Sequence, residues 1–300
     1  MDIINPRVDL AFKKIFGVEE NKDLLISLIN SIVGKEDQVA DVTLLNPYNP
    51  QNFRQDKLSI LDIKARGIDG KRFNIEIQIS DEADYDKRAL FYWAKLYTEQ
   101  LQVAEDYSEL SKAIGIHILN FTSIPSSERY HNTFHITEKT SGELYFKDLE
   151  LHTIELKKFT PDSKEDLSHI VAKVKNSLDM WIAFLTRHDL LKADNLPPEL
   201  NNKELKKALN VLNVMNFTEE ERGAYEDHLK WLRVEANSLK KAEAKGHEKG
   251  LEKGLDEGRK LEKIEMAKTM LVQGLDIKLI SKISKLSIEE IEDLRSYEVT

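Results

Sequence analysis

The sequence predicts an α/β protein: a mixed sheet flanked by helices, followed by an all-helical C-terminal region. Three observations carry that prediction. Up to about residue 160, segments of helical period alternate with short aliphatic strands and scattered Gly and Pro. From 161 to 236 only helical patterns appear, broken at Leu196-Pro197-Pro198. From 237 to 300 a highly charged stretch carries a glycine at every fourth position, then gives way to a small apolar helical tail. The expected divisions are therefore 1–160, 161–236 and 237–300.

Taken in order, Asp9 to Phe16 follows Pro6 as a short amphipathic helix, and Lys22 to Val33 sets Leu24, Leu25, Leu28, Ile29 and Ile32 at helical spacing. Leu58–Ala65 and Phe73–Ile79 are rich in aliphatic and β-branched residues and read as strands, with Gly67-Ile68-Asp69-Gly70 as the turn between them. Asp84 to Gln102 reads as a long helix and Ala113 to Phe121 as a buried strand. Phe134–Ile136 and Leu151–Leu156 supply two further strands.

Gly246, Gly250, Gly254 and Gly258 lie among strong helix formers between Lys240 and Lys263. Each costs a helix roughly 0.5–1 kcal/mol relative to alanine, and in a helix they form a stripe drifting about 40° per step. Such a stripe would suit a homodimer seam; the plainer reading is a solvated helix laced with Glu–Lys pairs. Ile264–Val272, Ile277–Ser284 and Ser287–Leu294 read as three short helices, the last opened by a Ser287/Glu290 capping box. That last helix is acidic, so it suits a protein-interaction or dimerisation tail better than a DNA-reading helix.

Composition narrows the function. The 300 residues carry a net charge of −9, 41% hydrophobic and 32% charged residues, and no cysteine. Disulfides, thiolate metal sites and cysteine nucleophiles are excluded. The N-terminus lacks a signal-peptide layout and no apolar run approaches the ~20 residues of a membrane span, so a cytoplasmic protein is expected. Through residue 160 there are 20 Lys+Arg against 26 Asp+Glu. Nucleic acid would therefore have to be gripped by local contacts or with divalent metal. No serine-based triad and no GxxxxGK[ST] loop is present.

The hairpin register is where chemistry appears. A three-residue loop, Ile68-Asp69-Gly70, places Asp62 opposite Glu76, Ile60 opposite Gln78 and Lys64 opposite Asn74. The other face is then uniformly apolar, with Leu61, Ile63 and Ala65 against Phe73, Ile75, Ile77 and Ile79; a slip of one residue would scatter that set. Carboxylates about 4.5–5.5 Å apart at Cβ repel unless a cation lies between them or one keeps its proton. Mg²⁺ or Mn²⁺ takes such oxygens, with water and a substrate phosphate completing its shell. Gln78, on the same face, would orient water, and Lys64 would stabilise charge growing on a phosphate. An ordinary polar face with cross-strand Lys, Asp and Glu partners fits the same spacing.

Other candidates are weaker. Arg88, Tyr92 and Lys95 share one helix face, with Arg88 a candidate for a DNA phosphate and Tyr92 and Tyr97 expected at the core boundary. His131 and His135 are expected as a surface pair, and His117 as a satisfied core or edge histidine.

Several stretches carry a resemblance: Asp9-Leu-Ala-Phe-Lys-Lys-Ile-Phe-Gly17, Ile60-Leu-Asp-Ile-Lys-Ala65, Asn74-Ile-Glu-Ile-Gln78, the Arg88–Tyr97 helix, and Leu151–Leu156 followed by Lys158. In their order and spacing, residues 3–160 resemble the Rpn family of recombination-promoting nucleases, often labelled transposases, within the PD-(D/E)XK nuclease superfamily. The resemblance implies a restriction-endonuclease-like core over 1–160 and a metal-dependent DNA endonuclease. It implies Asp62 and Glu76 as metal ligands, Gln78 at the position usually held by lysine, and Asp9 as an accessory acid. A helix N-terminal carboxylate is the plainer reading of Asp9. Leu61 stands where the superfamily motif names proline. The rival to catalysis is a binding or assembly module on a nuclease scaffold, acting through its C-terminal helices.

Overall fold

The computed structural model describes residues 4–48, 62–81, 84–102, 104–161, 165–213, 215 and 217–297. It divides into two units, 1–229 and 230–300. Leu58–Leu61, expected to begin a strand, lie outside the described residues.

In the first unit, β1 (Val42–Leu44), β2 (Asp62–Gly67), β3 (Arg72–Gln78), β4 (Ala113–Leu119), β5 (His131–Thr137) and β6 (Leu144–Glu155) form one sheet in the order β1-β2-β3-β4-β6-β5. The β3/β4 and β4/β6 pairs are parallel and the outer pairs antiparallel. Every residue of β4 is buried, as a central parallel strand covered on both faces requires. On one face Ile63, Ala65, Phe73, Ile75, Ile77, Ile114, Ile116 and Ile118 share a core with α1 (Asp9–Phe16), α2 (Lys22–Ile32) and α6 (Ser177–Arg187). Trp181 of α6 is fully buried there, edge-on to Phe16 at 5.4 Å. The same core reaches Leu212 at the end of α7 (Lys203–Asn213). An Asn176/Asp179 capping box starts α6.

The opposite face is covered by α3 (Tyr85–Thr98), which is shorter than the expected Asp84–Gln102. Its buried stripe is Tyr85, Ala89, Trp93 and Leu96, and Trp93 Nε1 donates to the Ala113 carbonyl at 3.1 Å. Tyr92, one position before Trp93, points about 100° away from that stripe. It is exposed rather than at the core boundary, while Tyr97 is half-buried.

Two strand features escape the sequence pattern. β1 is only three residues long, and β6 runs back to Leu144 through an exposed hairpin whose Leu144–Asp148 positions show no alternation of burial. The histidine expectations also need correction. His135 is exposed as expected, but His131 is half-buried and paired: its Nε2 lies 2.9 Å from His152 Nδ1, and His152 Nε2 lies 2.6 Å from Glu150. Lys112 bridges Glu150 at 2.8 Å and Asp37 at 2.5 Å. The β5/β6 register sets Thr133 opposite His152 and His135 opposite Glu150, which puts His131, His152 and Glu150 on one face.

In α8 (Glu219–Val272) the four glycines lie within one continuous helix, and a Cβ added at any of them meets nothing within 4 Å. The expected helix 264–272 is therefore the end of α8. Gly274 follows with φ +73°. In the second unit α9 (Ile277–Ser284) and α10 (Ile288–Tyr297) pack through Ala267, Ile280, Leu286 and Ile291. The Ser287/Glu290 box is present, with bonds of 2.8 and 3.1 Å. No helix among the described residues is long and apolar enough to cross a membrane.

Candidate active site

The β2/β3 hairpin turns over three residues, with Gly70 at φ +89° taking the left-handed position. Asp62 therefore pairs with Glu76 and Lys64 with Asn74. Both acids face α3, on the side of the sheet away from the aliphatic core. Asp62 is half-buried and Glu76 buried. Burial, with the neighbouring negative charge of Glu76, raises the Asp62 pKa against the pull of Lys64 and Lys13. Burial also raises Glu76, against hydrogen bonds from Asn74 and Gln78 and the charge of Arg88. Asn74 Nδ2 donates to Glu76 Oε1 at 2.9 Å.

Asp9, at the first turn of α1, belongs to the same group. Burial and the charge of Glu76 push its pKa up to about 7, with Arg88 acting in the opposite sense. His228, near the start of α8, lies 3.7 Å from Asp9 Oδ2. Gln78 Oε1 accepts from Arg88 Nη2 at 2.7 Å, so Arg88 reaches in from α3 and holds the amide. Lys64 Nζ lies 3.7 Å from Glu99 at the end of α3. Ile60, the expected partner of Gln78, lies outside the described residues.

Three further side chains join this group. Lys13 is buried on α1, one turn after Asp9, and its charge is felt at Asp62. A lysine four residues from an acid inside an apolar helix face was a readable signal. His117 is the β4 partner of Glu76; it is buried, its Nδ1 3.9 Å from Glu76 Oε2 and without a hydrogen-bond partner. Burial, then the Arg88 charge, lowers its pKa to about 4, so it is neutral near pH 7. Tyr85 packs edge-on against its ring at 5.8 Å. Only the parallel β3/β4 register could reveal His117 beside Glu76.

Acids whose pKa values burial raises, with a neighbouring carboxylate adding to the rise at Asp62 and Asp9, suit a hard divalent cation. Among the described residues no group of three or more His, Asp or Glu is arranged to hold a metal. Two carboxylates, with waters and substrate oxygens, are the donor set that a magnesium-type site uses. Asp62 and Glu76 fit it.

Comparison with protein families matches residues 6–242 to the family described as PD-(D/E)XK nuclease family transposase. No curated protein and no solved structure matches the chain. The family is one of nucleases, which implies a DNA substrate, and PD-(D/E)XK nucleases generally use divalent metal ions. With a mixed sheet flanked by helices and a match over most of its length, the chain belongs to the PD-(D/E)XK nuclease family transposases.

Proposed function

We propose that the chain is a Mg²⁺- or Mn²⁺-dependent DNA endonuclease working through Asp62, Glu76, Gln78, Lys64 and Asp9. The observation that carries this reading is the direct opposition of Asp62 and Glu76 on one polar face, with Asp9 electrostatically coupled to Glu76. Asp62 and Glu76 would hold the divalent ion through carboxylate oxygens. When bound, that ion neutralises charge building on the phosphate and makes a water more acidic. Gln78 cannot take up a proton, so it orients rather than deprotonates. Arg88, bonded to Gln78 Oε1, brings back the positive charge that glutamine lacks at the lysine position. Asp9, with its pKa near 7, holds or releases a proton at its carboxylate within the working pH range. Lys64 turns its charge toward a substrate phosphate. The transposase name of the family points to recombination or mobile elements as the setting.

Titration of the full chain with Mn²⁺ by calorimetry tests the site. Micromolar-to-millimolar affinity lost in Asp62→Ala supports the enzyme. The neutral side chain of Gln78 favours a second reading, a non-catalytic binding or assembly module acting through the C-terminal helices. Under that reading the wild-type chain shows no Mn²⁺ binding.

A further inference from the structure

A second polar cleft, of about 630 Å³, opens beyond the ends of β4 and β6. Three cations line it: Arg7 just before α1, Lys157 in α4 (Leu156–Phe159) and Arg187 at the end of α6. Against them stands one lining carboxylate, Asp189, which lies 3.2 Å from Arg187 Nε. A chain of net charge −9 thus concentrates an excess of two positive charges in one cleft.

Arg7 is the informative residue. Its guanidinium is partly buried, yet its hydrogen bonds go to neutral amide oxygens, from Nε to Asn5 at 3.2 Å and from Nη1 to Asn120 at 2.9 Å. Among the described residues no carboxylate lies within ion-pair distance of it. The Asp189 carboxylate acts on Arg7 through its charge without an ion-pair contact; an anion entering the cleft would meet the guanidinium directly. His188 also lines the cleft, and its buried Nδ1 has no hydrogen-bond partner. The volume is far larger than a bare phosphate and lies in the ~300–1,000 Å³ range of small-molecule sites. Asn120 ties the cleft to the acid cluster, because its backbone amide donates to the Gln78 carbonyl at 2.8 Å.

We propose that this cleft binds the phosphomonoester of a nucleotide, either a free mononucleotide or the phosphorylated terminus of a DNA strand. Arg7 binds the phosphate oxygens, Lys157 stands at the mouth, and His188 Nδ1–H donates a hydrogen bond to the ligand; Arg187, held by both oxygens of Asp189 and by the Glu165 carbonyl, adds its charge.

The test is binding to the full chain in EDTA, which keeps divalent ions out of the measurement. The probes are inorganic phosphate, a nucleoside 5′-monophosphate, and a short single-stranded oligonucleotide with a 5′-phosphate, a 3′-phosphate or neither. A phosphorylated probe should bind about ten-fold or more tighter than its hydroxyl counterpart, the worth of one charge-assisted hydrogen bond. Arg7→Gln should remove that preference. Lys157→Glu, at an exposed position where folding is not at stake, should weaken it. Asp62→Asn should leave it intact, so failure here is separate from failure of the metal site. Binding of the monophosphate marks the free nucleotide as ligand; preference confined to oligonucleotides marks the strand terminus. Equal affinity for phosphorylated and hydroxyl oligonucleotides, with no binding of the monophosphate, overturns the proposal.

Discussion

Asp62 and Glu76 are directly paired across β2 and β3, and the pairing depends on a turn of three residues ending in a left-handed glycine. A Cβ at Gly70 would also meet Ser111 Oγ at 2.6 Å. Gly70→Ala should therefore destabilise the fold by about 1–2 kcal/mol, read as a lower urea midpoint. An unchanged midpoint would mean that the turn tolerates a side chain and does not fix the register.

Arg88 ties α3 to the acid cluster through Gln78. Its removal should cost cleavage about 10–100-fold, the scale of losing one preorganised charge at a reacting phosphate. Arg88→Lys should recover only part, because an ammonium does not reproduce the planar guanidinium contact. Steady-state rates on a plasmid substrate check this. Full activity in Arg88→Ala would assign the residue to packing alone.

Much of the sheet and its polar face was legible in the sequence because one hairpin carries it. Alternation in Phe73–Ile79, with Gly70 in the loop, settles which side chains share a face. Asp9 needed the family pattern, since a carboxylate opening a helix has an ordinary explanation in the helix dipole. His117 was legible as a core histidine, but its place beside Glu76 and the His131–His152–Glu150–Lys112–Asp37 chain stayed hidden. They arise from β4 and β6 pairing across long separations, which no local period encodes. Tyr92 misled because aromatic content on α3 suggested burial, while the phase of the helix sends it outward.

His131 gives the acid response a definite sign. Burial, with the charges of His152 and Arg129, lowers its pKa to about 4, below the ~6.5 of an unfolded histidine. Unfolding therefore takes up a proton between about pH 4 and 6.5, and stability falls as pH drops through that window. His131→Asn should flatten the dependence there by about 1 kcal/mol per pH unit, measured by urea unfolding at stepped pH. An unaltered slope would place His131 in contact with water in the native state.

Within α8, Gly250 and Gly254 have open space where a Cβ would stand. Gly250→Ala with Gly254→Ala should strengthen the helix, by roughly 0.5–1 kcal/mol per site, seen as slower amide exchange across residues 240–263. Light scattering on the same sample reads the mass. A dimer in the wild type that dissociates in the variant would instead identify the glycines as a seam between two copies.

Cleavage of supercoiled plasmid by the wild type, Asp62→Ala and Glu76→Ala, each with Mg²⁺, Mn²⁺ or EDTA, tests the central assignment most directly. Nicking by the wild type that needs the divalent ion and disappears in both variants, with their folding intact, is the predicted result. Equal nicking by wild type and variants, or none by the wild type with either metal, would contradict it.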